Sequence, residues 1–521
     1  GRAGASRRST STGVRRQARA ARALLAVAVV VVACSSESSK GSAARTAGTT
    51  PSGSPVATAP STTLKPVELC PSSEELFCAR SPHAFVQTGA HGDEVSPLAL
   101  APGAAPTAET PVALSGVNLK QGPYRRGGEW TSELLDTELS AMAAEGAPAF
   151  SVVRVALDWP RFQYEDADGA IKIDPDGLDA LDRMIDDAAA ADIHVILDVI
   201  HVRAPDGPCD ADERLSGAKW DVPAWAWQRV TGQPQDADCK ARPRELGELM
   251  DEVLVLPETT EFLRTILERY NASTARGRNV VAIEPVSEAE SSGGSAISRS
   301  QNLIDSVYAK WLAAEGEASL RRANPTKILI LSPNKGDTSL FGVDLTPISQ
   351  PNVVWSHHDY TIAVTGGSEA GAGYSNEGWA SADVQDHSYQ ARPGRPAYDP
   401  EQVPFDQRLT ERRDYLAQMQ GWAAAGALPI FVGEYGTYNT CAPQGDLEAT
   451  TAYAQHSQEI FDGAEVGGAP APVSRTWWQL SVGGRFGGDF ALLTVDGLSC
   501  PDTDAAGWMP YAVDLTDGRT R

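Results

Sequence analysis

Beyond Pro111 the chain alternates short apolar runs with amphipathic stretches, the rhythm of buried parallel strands and covering helices. The runs are Val112 to Leu119, Phe150 to Leu157, His194 to Ile200, Val280 to Val286, Ile328 to Leu331, Val353 to Ser356, Leu428 to Gly433 and Thr476 to Val482, eight in all. Between them Leu178, Leu181, Met184, Ile185 and Ala188 recur at helical spacing, as do Phe262, Leu263, Ile266, Leu267 and Tyr270. Further helices are predicted over Gln301 to Arg322, Gln407 to Ala425 and Thr450 to Phe461. Eight strands with helical crossovers predict an α/β fold, a (β/α)8 TIM barrel over 111–521, because right-handed crossovers roll parallel strands into a ring that side chains can fill. An open doubly wound sheet is the alternative. Gly497 to Arg521 is rich in Asp, Gly and Pro and predicts no final helix, which weakens the usual closure.

The first 110 residues are organised differently. Arg2, Arg7, Arg8, Arg15, Arg16, Arg19 and Arg22 precede the apolar run Ala23 to Ala33, so 1–33 reads as an export signal. The run is shorter than the ~20 residues a membrane-spanning helix needs. It ends in Val31-Val32-Ala33-Cys34, which resembles a lipobox and marks Cys34 for lipidation, with a lipid anchor in a membrane. An ordinary signal peptide is the alternative. Residues 34–64 are Ser, Thr, Gly, Ala and Pro with few large apolar side chains, a flexible tether. Residues 65–110 read as an extension packing on the barrel.

The 521-residue chain carries 44 Lys plus Arg against 68 Asp plus Glu, a formal net charge of -24, which excludes nucleic acid as a partner of choice. With Cys34 lipidated, Cys70, Cys78, Cys209, Cys239, Cys441 and Cys500 remain, an even set that suggests disulfides in an exported protein. Neighbour pairing is the economical arrangement among the fifteen that six cysteines allow. No clustered Cys/His spacing points to a metal, and no cofactor is implied. A monomer is expected.

In a barrel the reacting groups sit where strands end. The fourth run finishes in Glu284-Pro285-Val286-Ser287-Glu288 and the seventh in Val432-Gly433-Glu434-Tyr435-Gly436, delivering two Glu residues to one rim. Facing carboxyl groups are what glycosidic cleavage requires. Arg154 lies within the second run, His358 and Tyr360 follow the sixth, and Trp477-Trp478 lie in the eighth.

These motifs resemble glycoside hydrolase family five, the cellulase-like retaining enzymes, over roughly Pro111 to Leu515. The resemblance implies Glu434 as nucleophile and Glu288 as acid/base, with Arg154 orienting Glu434. It implies His358 and Tyr360 near sugar hydroxyls and the nucleophile, and Trp478 as a floor for the sugar, with a one-residue register shift as the alternative. Asn118 is expected in support. The implied mechanism is double displacement, the Glu434 charge favouring protonated Glu288. Two departures stand out. Ser287 replaces the Asn that usually precedes the acid/base. The third strand's Asp198 to His201 ending carries one extra residue, so His201 reaches the site only through a bulge and is otherwise a loop histidine. Trp220, Trp225, Trp227 and Trp379, in inserted stretches, are candidate platforms for sugar rings. The substrate implied is a poly- or oligosaccharide or a glycoconjugate, and the similarity of Asp221 to Ala226 to a segment of endoglycosylceramidase-like members makes a glycolipid the alternative. A glycan-binding surface lipoprotein that no longer cleaves is the reading from another class.

Overall fold

The computed structural model describes residues 75–88, 110–119, 122–126, 129–131, 133–200, 222–232, 243–289, 296–334, 343–359, 405–436, 447–480, 491–493 and 507–521. By internal contacts the chain divides into Gly1–Pro66 and Val67–Arg521. The first unit, and with it the export signal, Cys34 and the tether, lies outside the described residues.

Eight parallel strands close a ring in the second unit. They are β1 (Ser115–Leu119), β2 (Val152–Ala156), β3 (His194–Asp198), β4 (Val280–Glu284), β5 (Ile328–Leu331), β6 (Val353–Asp359), β7 (Ile430–Tyr435) and β8 (Arg475–Trp477). Each pairs with its successor, and β8 returns to β1, so the fold is a (β/α)8 TIM barrel. The eight apolar runs supply these strands, with differences at their ends. β6 and β7 run past the predicted limits into polar sequence because they pair with each other there, His358 opposite Glu434 and Asp359 opposite Tyr435.

Alternation explains both the core and the site. Outward residues such as Val153, Val155, Val195, Leu197, Leu329, Leu331, Val353, Trp355 and Val432 join the main apolar cluster under the helices. Inward residues Val152, Ile196, Ala282, Ile330, Val354 and Phe431 form a second cluster at the N-terminal end of the ring. Two residues further along the same inner face, Val152 gives way to Arg154, Ile196 to Asp198 and Ala282 to Glu284. The lower barrel is therefore apolar and the upper barrel ionic.

A hairpin, Phe77–Arg80 with His83–Gln87, stoppers the apolar end. Phe85 meets Phe431 edge-on at 6.2 Å, and Phe77 meets His194 at 5.3 Å. Below it the Lys327 ammonium, buried, pairs with Glu75 and donates to the carbonyls of Gly277 and Val280 at 3.0 and 2.9 Å. Cys78 in this hairpin is disulfide-bonded. The other cysteines, and with them the pairings expected above, lie outside the described residues.

Helix Pro175–Ala190 begins at Asp174, whose side chain accepts from the amides of Asp176 and Gly177, and buries Leu178, Leu181, Met184, Ile185 and Ala188. Pro257–Arg269, Phe405–Ala425 and Leu447–Asp462 cover other strands. The helix predicted to reach Arg322 stops sooner. Ala296–Leu303 continues through a π turn, Ile304–Tyr308, and ends at Leu312. Gly316 then takes a φ of 118°, and the amides of Leu320 and Arg321 fold back onto the Trp311 carbonyl. Closure of the ring does not depend on a last helix. Two 3-10 turns, Pro510–Ala512 and Asp514–Thr516, bury Tyr511 and Leu515, while Ser115 Oγ donates to the Leu515 carbonyl at 2.7 Å.

One close approach is testable. Trp130 donates through Nε1 to the cap Asp174 at 3.1 Å, and its ring lies where a Cβ on Gly177 would stand, 2.4 Å away. Gly177→Ala is expected to lower stability by about 1–3 kcal/mol through overpacking, with the loss smaller in a Trp130→Leu background. Urea unfolding of the four chains measures this, and equal losses in both backgrounds would remove the clash as the cause.

Candidate active site

Arg154 stands at the centre of the upper barrel, 1% exposed. Its Nε donates to Glu284 at 2.7 Å, Nη1 to Asn118 at 2.7 Å and Glu434 at 3.2 Å, and Nη2 to Ser287 at 2.8 Å and Asp198 at 2.9 Å. Five groups from strands β1, β3 and β7 and from β4 with its following loop thus converge on one guanidinium. Burial acts to lower its pKa, but the charges of Asp198, Glu284 and Glu434 reverse this and raise it above arginine's ordinary value. Apolar side chains would fill this space at less desolvation cost, so the cluster points to function more than to stability.

Glu434 is fully buried on β7. It owes its direction to an extra residue in that strand. From Val432 to Tyr435 is three steps on β7 and two on β8, and the register with β6 also shifts between Val432 and Glu434. Gly433 is the bulged residue, and a Cβ there would stand 2.8 Å from Ser356 Oγ. Glu288 follows β4 in a left-handed conformation, φ 53°, which a side chain rarely adopts. The preceding Ser287 amide donates to the Ile200 carbonyl at 2.8 Å, extending the β3–β4 ladder beyond the strands and fixing where Glu288 emerges.

His358 stands between the two. Its Nδ1 is 3.2 Å from Glu288 Oε1 and 3.5 Å from Glu434 Oε2. One ring nitrogen and one oxygen from each carboxylate lie within 4.8 Å of one another. Among the described residues this is the one group of three such side chains close enough to share a cation, yet a proton on His358 satisfies the same pair. Burial acts to lower the His358 pKa, and the carboxylates of Glu434 and Glu288 override it and raise the pKa.

The barrel matches the model of the Cellulase family, glycosyl hydrolase family 5, over residues 106–482. The chain belongs to glycosyl hydrolase family 5. It is accordingly a glycosidase, with a carbohydrate as substrate. Among solved structures, a hyperthermophilic endo-β-1,4-glucanase in complex with substrate is 17% identical, covering 78% of this chain and 97% of that one with a TM-score of 0.44. The cellulose synthase subunit Z of Clostridioides difficile is 15% identical over 78% and 99% of the two chains, with a TM-score of 0.43. Cel5A of Thermotoga maritima, in complex with cellobiose, is 16% identical over 77% and 96%, with a TM-score of 0.44. No curated protein matches the chain significantly.

Of the positions singled out in this family 5 chain, Glu288, Glu434, Arg154, Ser287 and His358 come together, with Asn118 supporting Arg154. In β8, Trp477 points outward among Tyr435, Tyr453 and Tyr511, so alternation turns the adjacent Trp478, 3% exposed, to the inner face. Tyr360, His201, Trp220 and Trp379 lie outside the described residues, as does the side chain of Trp227. Trp225 is buried edge-on against Trp159 at 6.0 Å and anchors its helix, Ala224–Thr231, instead of offering a platform. Asp198 and Glu284 were not among the expected site residues. Each is a charged residue inside an apolar run, as Arg154 is.

His357, on the outer face of β6, is buried beside Tyr415, and neither ring nitrogen has a hydrogen-bond partner among the described residues. Burial, opposed by Asp359 and aided by His358 and Arg412, lowers its pKa to about 4. The unfolded chain therefore binds this proton first. Stability from neutral His357 is complete above pH 6.5 and is lost as pH falls toward 4. Urea unfolding between those limits should show a steeper decline for the parent than for His357→Phe; parallel curves would contradict it.

Proposed function

We propose that the enzyme is a retaining glycosidase in which Glu434 is the nucleophile and Glu288 the acid/base. The observation that carries this reading is the approach of the two carboxylates, with oxygens within 4.8 Å of one another. Retaining enzymes hold their carboxyl groups roughly 5–5.5 Å apart, and inverting ones need about 6.5–9.5 Å to admit a water. The different surroundings of the two support the division of roles. Glu434 is sealed from water and bonded to a buried guanidinium, which keeps an anion oriented for attack. Glu288 stands at the rim, 8% exposed, where a leaving group and later a water can reach it.

In the first step a Glu434 oxygen bonds to the anomeric carbon, the bond to the leaving oxygen breaks, and the Glu288 proton moves to that oxygen. In the second, Glu288 takes a proton from water, the water oxygen attacks the anomeric carbon, and the Glu434 carboxylate is released. His358, between the two, can follow the charge as it leaves Glu434 and appears on Glu288. Ser287 Oγ accepts from Arg154 Nη2, so it reads as support for the guanidinium.

Glu434→Gln should retain the fold and lose turnover of dinitrophenyl β-glycosides. In Glu288→Ala, azide should restore turnover and yield a glycosyl azide of unchanged anomeric configuration. Full activity of the first variant, or an inverted first-formed sugar from the parent, would refute the assignment.

The Arg-rich N-terminus and Cys34 support an exported enzyme held at a membrane by lipid. Expressed in a bacterial host, the full chain should incorporate labelled palmitate and Cys34→Ala should not; equal labelling would rule out an anchor at this residue.

A further inference from the structure

The carbonyl of the bulged residue Gly433 is turned into the barrel, toward side chains of β1 and β8. It accepts from Asn118 Nδ2 at 3.0 Å and from Thr476 Oγ1. Both donors are buried, at 1% and 0% exposure, and both come from strands other than β7. Asn118 also accepts from Arg154 Nη1 through its Oδ1 at 2.7 Å. The same Arg154 nitrogen touches Glu434 at 3.2 Å. Asn118 therefore reaches Glu434 by two routes: through the backbone bulge immediately before it and through the guanidinium that binds its carboxylate.

We propose that Asn118 and Thr476 are positioning residues for Glu434, holding the Gly433 bulge in the geometry that aims its carboxylate at the anomeric carbon. The proposal rests on Glu434 being the nucleophile and goes beyond it by assigning what sets its direction. The chemistry of position 118 is restrictive. An amide offers a donor on one side and an acceptor on the other, so Asp would keep the acceptor for Arg154 and lose the donor for the bulge. At position 476 a hydroxyl is needed beside a buried carbonyl, which Ser supplies and Val, of the same shape as Thr, does not. A bulge with its carbonyl unsatisfied relaxes by rotating the peptide, and the rotated peptide is the one that carries Glu434.

The test is stopped-flow release of the first equivalent of dinitrophenol from whichever of a panel of dinitrophenyl β-glycosides the parent cleaves fastest. This reads formation of the glycosyl-enzyme apart from its hydrolysis. Thr476→Val and Asn118→Asp should lower the saturating rate by about 10- to 100-fold, the scale expected of a small misplacement of a reacting group. The half-saturating concentration should stay within about twofold, and Thr476→Ser should remain within about threefold of the parent. A saturating rate in Thr476→Val equal to the parent's, or Thr476→Ser as impaired as Thr476→Val, would overturn the proposal. So would a loss confined to the half-saturating concentration. If Thr476→Val does not fold, Asn118→Asp against the parent decides in the same assay. Failure here leaves Glu434 as nucleophile intact, since that assignment stands or falls on Glu434→Gln.

Discussion

A guanidinium cut off from water must find all its solvation among protein atoms, and the upper barrel is arranged around that requirement. Arg154 has five donors and places bonds on Glu284, Asn118, Glu434, Ser287 and Asp198. Each partner comes from a strand end or the residues just beyond it, so satisfying one side chain fixes the relative heights of β1, β2, β3, β4 and β7. The dependence is mutual. Asp198, Glu284 and Glu434 are themselves buried and would be costly anions without the cation between them. Removing Arg154 would leave three buried carboxylates without the cation they share.

The same economy runs through β6, where three consecutive residues face three environments. His358 looks inward to the two glutamates, and His357 looks outward into apolar packing beside Tyr415. Asp359, outward again, binds the buried Arg412, which lies over the Tyr453 ring and also donates to Ser457. Identical imidazoles one residue apart are thus driven in opposite directions, the inner one toward its charged form and the outer one toward its neutral form. The difference is made by neighbours. Carboxylates within hydrogen-bond reach outweigh burial for His358, and burial prevails for His357.

The apolar plug below this ionic layer makes the arrangement possible. Phe77 and Phe85 of the hairpin close the ring from beneath, against His194 and Phe431. Water is thereby kept from the underside of Arg154, and its interactions with the carboxylates act across a medium of low polarisability. Family membership as a glycoside hydrolase fits this division, in which one end of the barrel provides rigidity and the other provides directed charge.

Much of this was legible in one dimension. Eight apolar runs of strand length at barrel spacing give the fold class, because burial on both faces leaves a continuous hydrophobic signature that survives without contacts. Glutamates at the ends of the fourth and seventh runs give the reaction class. The sequence also carries Arg154, a charge inside such a run, and His358 and Ser287, which follow one. It did not carry the partners. Asp198 and Glu284 look like any strand-end carboxylates until the ring closes and brings them to one guanidinium. Nor does the pattern show that the helix after β4 stops at Leu312, that two 3-10 turns replace a final helix, or that Gly433 is an extra residue in its strand. The helix end is set by a local fold-back onto the Trp311 carbonyl, the bulge by pairing with β6 and β8, and the terminal turns by contact with the distant Ser115. Periodicity records which side of a strand is buried, and only the folded chain decides which strand lies opposite, in what register, and therefore where each carboxylate points.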